Sequence, residues 1–448
     1  MTTAVTTQSA STLKSSAVTS RQLSGISLLK HRNSSAVSES TGARQVSNAE
    51  RFLASKNASP PSPNALVLYL VKNQITLPIY LLVALILAHF LLPFQHITSK
   101  FLYLSHRVEH SGLYVKGPDD AYFVFFWVVA FTCIRAFTMD YLFVPFARFY
   151  NISSKKALTR FAEQAWSCGY CCVFGSLGTY LMYKSPYWLN TDELWAGWPH
   201  RELKHMFKWY YLVQLAFWLQ QIFALNIEER RKDYRQMFTH HIVTCSLLIA
   251  SYNYCFTRIG NVVLCLMDVV DILLASAKML KYLGRQTLCD VMFGVFILTW
   301  IIGRHVLYVK LVWSAMFDSH KLIGYKCFFE PLDDVVSVGD AMPSSGSNKT
   351  RMFLGEELCF TEIMHFSFIS LLWVLQGIML MWFYMIIKVA VRVLSGGGAD
   401  DSRSDGEDED DDATEELDDE KAELKKFDEA EADVDDEVTL VDAVEISS

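Results

Sequence analysis

Eight stretches of about 20 mostly apolar residues run through this chain, at 75–94, 121–146, 161–183, 208–226, 236–256, 259–281, 288–313 and 360–394. A hydrocarbon core of ~30 Å takes about 20 helical residues to cross, and in lipid every backbone amide must be satisfied within its own helix. Such a chain is expected to fold as an all-α polytopic membrane protein with about eight transmembrane helices. Composition agrees, since 52% of the residues are hydrophobic and 14% aromatic. Pro78 and Pro145 fall near the ends of the first two stretches, where a missing N–H is tolerated.

The net charge of −8 hides an uneven distribution. Residues 400–448 carry 24 Asp and Glu against 4 Lys and Arg, a net of −20 that leaves the rest of the chain at +12. A basic membrane body is therefore followed by an acidic, disordered tail over 397–448. Residues 1–62, rich in Ser, Thr and Ala and ending in Pro60 and Pro61, hold too little apolar surface to offset chain entropy and are also expected to be disordered. They contain no apolar segment of the signal-peptide kind, so the first of the transmembrane helices expected in 63–155 is also expected to serve as the targeting signal. Ser24, Ser34 and Ser404 sit in contexts that suit phosphorylation. The ten cysteines show no paired zinc spacing and most lie inside apolar runs, which reads as buried small side chains.

Basic residues accumulate in alternate connections, at Arg148–Arg160, at Arg230, Arg231, Lys232 and Arg235, and at Lys278–Arg285. The positive-inside rule puts those connections and both termini in the cytoplasm. The opposite side then receives Trp188, Trp195 and Trp198, and a longer loop of about 316–357 with a glycosylation sequon at Asn348, whereas the sequon at Asn151 stays cytoplasmic.

Chemistry is concentrated in two consecutive stretches, Met237–Thr244 (MFTHHIVT) and Leu266–Met279 (LMDVVDILLASAKM). They hold His240, His241, Asp268 and Asp271, and ionisable groups at membrane depth are costly enough to mark function or to pair with one another. Asp268 and Asp271 are three residues apart and share a helix face, continued by Ala275 and Lys278. The two histidines are ~100° apart around their helix, so they cannot face one partner. His240 shares its face with Thr244, whose hydroxyl is placed to orient the ring. A histidine facing an aspartate across two antiparallel helices joined by a turn region of about seven residues near 255–258 suits general-base or nucleophilic catalysis. Asp271 is the expected partner of His240, with His241 and Asp268 supporting the site. The other histidines, such as His89, His205, His305 and His365, stand alone, so the several-box pattern of a di-iron enzyme is missing and no metal is expected. Arg230, Arg231 and Arg235, just before the histidine pair, together with Lys278, form an expected rim for an anionic ligand, although positive-inside topology alone accounts equally well for the arginines.

At these residues the sequence resembles the ceramide synthase family of the TLC superfamily. The resemblance rests on FTHHIVT at 238–244, Ser251 and Tyr252, Arg258, Gly260, and MDVVDILLASAKM at 267–279. It extends as hydropathy over about 156–396. Met267 stands where animal relatives often have histidine, which is similar to the fungal branch. The resemblance implies a helical bundle enclosing a substrate tunnel in the endoplasmic reticulum membrane. It also implies transfer of a fatty acyl group from acyl-CoA, a co-substrate with no further cofactor, to a sphingoid base, sphinganine or phytosphingosine. His240, His241, Asp268 and Asp271 are then functional. Membrane lipids are expected contacts, and a small single-span accessory subunit or a homo- or heterodimer partner is compatible with the family; nucleic acid is not an expected partner. A non-catalytic TLC protein that binds or translocates lipid is the alternative, and it does not require the four ionisable residues. A proton-coupled transporter would want Gly- or Pro-broken helices in matching halves, and these are not seen.

Overall fold

The computed structural model describes residues 65–91, 93–227, 233–329, 335–337 and 357–395. Arg230, Arg231, Ser24, Ser34, Asn348 and Ser404 lie outside the described residues. Helices dominate: α1 (Ala65–Lys72), α2 (Thr76–Leu91), α3 (Gln95–Leu102), α4 (Asp120–Phe149), α5 (Lys155–Tyr183), α6 (His205–Ile227), α7 (Tyr234–Asn253), α8 (Thr257–Tyr282), α9 (Gln286–Ile323) and α10 (Glu362–Leu394). Each of the eight apolar stretches coincides with one of these helices. Four of them, α4, α8, α9 and α10, are long and apolar enough to cross a membrane by length and composition. α5, α6 and α7 run for 29, 23 and 20 residues, but carry polar side chains that dilute their hydropathy. Much of that polarity is turned inward: Gln214, Gln220 and His241 are buried, whereas Leu142, Val173, Leu298, Ile302 and Leu380 are exposed on the outer faces. The molecule is an all-α polytopic membrane protein.

Local chemistry explains where the helices stop. Thr361 caps α10 by accepting from the Met364 amide, with Glu362 in the first turn to complement the helix dipole. α8 ends where Gly284 takes a positive φ of 68° and Arg285 donates back to the Leu280 carbonyl. The connection between α7 and α8 is the three residues 254–256, tighter than expected, with Cys255 in the left-handed region.

Two departures from the sequence reading concern the 316–357 loop. Its first part is the end of α9, which continues to Ile323. Beyond it, β1 (Lys326–Phe329) pairs antiparallel with β2 (Val335–Ser337) and with β3 (Glu357–Cys359), in the order β2-β1-β3. Cys327 faces Cys359 in that register and the two form a disulfide. Two of the ten cysteines are therefore cross-linked, not merely buried. The other eight are free, five of them buried.

The bundle core has two main parts. One packs α8, α9 and α10 beneath Trp195 and Trp198, and the other packs α4, α5, α6 and α7 around Phe131, Tyr170 and Tyr211. An ion pair pins the second part at one end: Lys208, fully buried, lies 2.7 Å from Asp120 Oδ1 and donates to the carbonyls of Ser105 and Val115. Asp120 Oδ2 accepts from the Tyr252 hydroxyl at 2.7 Å and from the Gly117 amide. With this many partners the two charges are compensated, and α4, α6 and the end of α7 are tied together.

Candidate active site

α8 packs chiefly against α5, not against its sequence neighbour α7. Gly175 and Gly178 on α5 allow that approach; a Cβ at Gly175 would lie 3.1 Å from Asp268 Cβ, and one at Gly178 would lie 2.8 Å from Cys265 Sγ. The face of α8 turned toward α7 is left with a cavity of about 340 Å³, walled also by α5, α6, α9 and α10. α7 lines it from near Asp233 to Ser251, roughly 27 Å of helix at ~1.5 Å per residue, close to the depth of a hydrocarbon core. The Asp233 end is polar, with Glu163, Gln164, Gln221 and Lys278. The far end is apolar, with Leu247, Ile259, Val263, Phe368 and Leu372, and is bounded by Tyr211, hydrogen-bonded to Ser251 and seated over Gly260.

His240 lies about two turns in from Asp233, where polar wall gives way to apolar wall. Trp218 and Trp382 flank its ring edge-on, with centroids 5.7 and 4.9 Å away. Nδ1 of His240 and of His241 is enclosed without a hydrogen-bond partner. That leaves Nε2 of each ring as the nitrogen open to the cavity both histidines line. Thr244 Oγ1 also lacks a partner, so its expected bond to the His240 ring is not made.

The aspartates occupy two different settings. Asp268, 1% exposed, is turned to α5 beside Gly175, Cys171 and Gln214, away from the cavity wall. Asp271 borders the cavity, and its Oδ1 accepts from Arg304 Nη2 at 2.5 Å. The expected His240–Asp271 pair is thus replaced by Arg304–Asp271. The reason is physical: the cavity separates α7 from α8, and a permanently charged guanidinium is a stronger partner for a carboxylate than a neutral imidazole. Lys278 lines the polar end, whereas Arg235 is exposed outside it.

Residues 160–388 match the TLC domain family. The sphingosine N-acyltransferase-like protein ALT7 of Alternaria alternata is 44% identical over 317 residues, 69% of this chain and 72% of that protein. The sphingosine N-acyltransferase lag1 of Schizosaccharomyces pombe is 40% identical over 70% of this chain and 75% of its own length. The ceramide synthase FUM18 of Gibberella moniliformis is 40% identical over 69% and 73%. The chain belongs to the TLC-domain family.

Within this TLC domain the structure brings His240, His241, Asp271 and Lys278 to one cavity and leaves Asp268 at its back. Among the cavity residues that escaped the sequence reading are Trp218, Trp382 and Arg304. The tryptophans carry no distinguishing signal among 11. Arg304 does, as one of two cations, with the exposed Lys310, inside the apolar stretch 288–313, and the rule that selected the histidines and aspartates selects it too.

Proposed function

We propose that this TLC-domain chain is a ceramide synthase, an acyl-CoA-dependent N-acyltransferase acting on sphinganine or phytosphingosine. The observation that carries the reading is the two-ended cavity with His240 Nε2 at its polar–apolar junction. An acyl chain suits the apolar end, which leaves the thioester beside His240 and the CoA phosphates toward the Asp233 end. Lys278, and Arg230, Arg231 and Arg235 in and beside the neighbouring connection, supply cations for those phosphates. The positive-inside rule then puts both termini in the cytoplasm, in the endoplasmic reticulum membrane that the resemblance implies.

A sphingoid amine is mostly protonated in water, so transfer requires loss of that proton. In one route the ammonium first sheds its extra proton to water, and His240 Nε2 takes a second proton as the neutral amine nitrogen attacks the thioester carbon; the C–N bond forms, the C–S bond breaks, and CoA leaves as a thiolate that receives that second proton from His240. In the other, Nε2 itself accepts the acyl group with loss of CoA thiolate, and the amine then displaces the imidazole. Both end in an N-acyl sphingoid base and free CoA. His241 supports the ring of His240 through the shared Trp218 contact.

Detergent-purified chain given acyl-CoA and sphinganine is expected to release one CoA thiol per ceramide formed. Binding of either lipid with no thiol release would identify a lipid-binding TLC protein instead. Acyl-CoA alone in a single turnover separates the routes, because only the second leaves an acyl mass increment on the peptide holding His240.

A further inference from the structure

Arg304 lies on a π-helical turn, Ile301–Leu307, inside α9. Such turns cost regular hydrogen bonding and recur where a side chain must be aimed. The residue is 4% exposed and its guanidinium stacks over Trp300, 4.1 Å from the ring centroid. Nη2 donates to Asp271 Oδ1 and, at 3.3 Å, to the Met267 carbonyl. Nε is enclosed with no partner. Among the described residues Nη1 neither makes a hydrogen bond nor is enclosed, and Arg304 lines the cavity, so Nη1 is the nitrogen presented to it.

A guanidinium held only to neutralise Asp271 would use its two-pronged edge on that carboxylate. Here one nitrogen does so and another is left facing the space shared with His240. Depth agrees. Asp271 is seven residues from Lys278 and His240 seven from Asp233, about 10 Å of helix in each case from the same polar end.

We propose that Arg304 is a catalytic residue: Nη1–H donates to the thioester carbonyl oxygen as that oxygen becomes an oxyanion. This rests on the acyl-transfer reading above. When nitrogen attacks the carbonyl carbon, the C=O π pair moves onto oxygen and meets a charge already fixed by Asp271, Met267 and Trp300, so nothing has to reorganise. The arginine keeps all its protons. On collapse the electron pair returns from oxygen, the C–S bond breaks and the charge leaves on sulfur. Asp271 in this scheme is a positioning residue that holds Arg304.

The test uses the full chain in detergent with acyl-CoA and sphinganine. Arg304→Gln is expected to lower kcat by roughly 10²–10³-fold, the range for loss of one oxyanion donor, with KM for acyl-CoA moving only a few-fold. Arg304→Lys, which keeps a cation opposite Asp271 and so the fold, is expected to fall nearly as far in kcat. Asp271→Asn with Arg304→Gln is expected to be at least 10-fold slower than Asp271→Asn alone. A non-reactive acyl-CoA thioether, which lacks the carbonyl, is expected to bind Arg304→Lys and the unaltered chain alike. Full activity in Arg304→Lys, a double variant no slower than Asp271→Asn, or loss of thioether binding would each overturn the proposal. No thiol release by the unaltered chain would instead sink the acyltransferase reading itself.

Discussion

At the scale of single residues, burial decides which protonation states are available. His200 lies in the connection before α6, donates from Nε2 to the Ala196 carbonyl at 2.9 Å, and has Nδ1 enclosed without a partner. Burial, then the nearby Arg258, push its pKa down to about 4, against a smaller opposing pull from that carbonyl. The unfolded chain binds this proton near pH 6.5 and the folded chain only near 4, so stability rises with pH across that window. Thermal midpoints of the purified protein are expected to hold steady above about pH 6.5 and to fall as pH drops from there toward 4. His200→Gln should flatten part of that decline; an unchanged profile would remove His200 as its source. The sequence made His240, His241, Asp268 and Asp271 legible as ionisable groups inside apolar runs, because lipid makes them conspicuous. Their partners were not legible. Periodicity places Asp271 on a face of its own helix but does not say which helix lies opposite, and Arg304 is 33 residues further on. The same limit hid the separation of Asp268 from Asp271, two residues on neighbouring sides of one helix that meet different surroundings.

Between elements, the site depends on how closely α5 and α8 approach. At Gly178 a Cβ would collide with the Tyr210 hydroxyl and Cys265 Sγ. Gly178→Ala is therefore expected to destabilise the protein by ~1–3 kcal/mol and to lower its thermal midpoint; a midpoint equal to that of the unaltered chain would show that α5 and α8 can part without cost. The small sheet after α9 is held differently. Cys327 and Cys359 are 32 residues apart and close a loop, and a cross-link of that kind stabilises by roughly 2–4 kcal/mol. Cys327→Ser should lower the midpoint, and dithiothreitol should reproduce the drop in the unaltered chain but add nothing to the variant; a reductant effect of equal size in both would assign it elsewhere. Helices of 20 or more residues announce themselves by composition. Strands of three and four residues do not, and cysteines flanked by apolar neighbours in KCFF and ELCF look like core until the register brings them together.

Taken as a whole molecule, the bundle encloses a cavity of near-membrane length between a polar and an apolar end, and its orientation decides which compartment supplies which substrate. Basic connections on one side predict that Asn348 faces the lumen and Asn151, exposed in the turn between α4 and α5, the cytoplasm. Endoglycosidase-sensitive glycan is expected on Asn348 alone; glycan on Asn151 would invert the topology. The central claim is that acyl transfer takes place in this cavity at His240. It is tested most directly by turnover of acyl-CoA and sphinganine to ceramide by His240→Ala, purified beside the unaltered chain at matched abundance and thermal midpoint. The account predicts a loss of at least ~10²-fold with binding of the acyl-CoA thioether retained, and full activity in His240→Ala would contradict it.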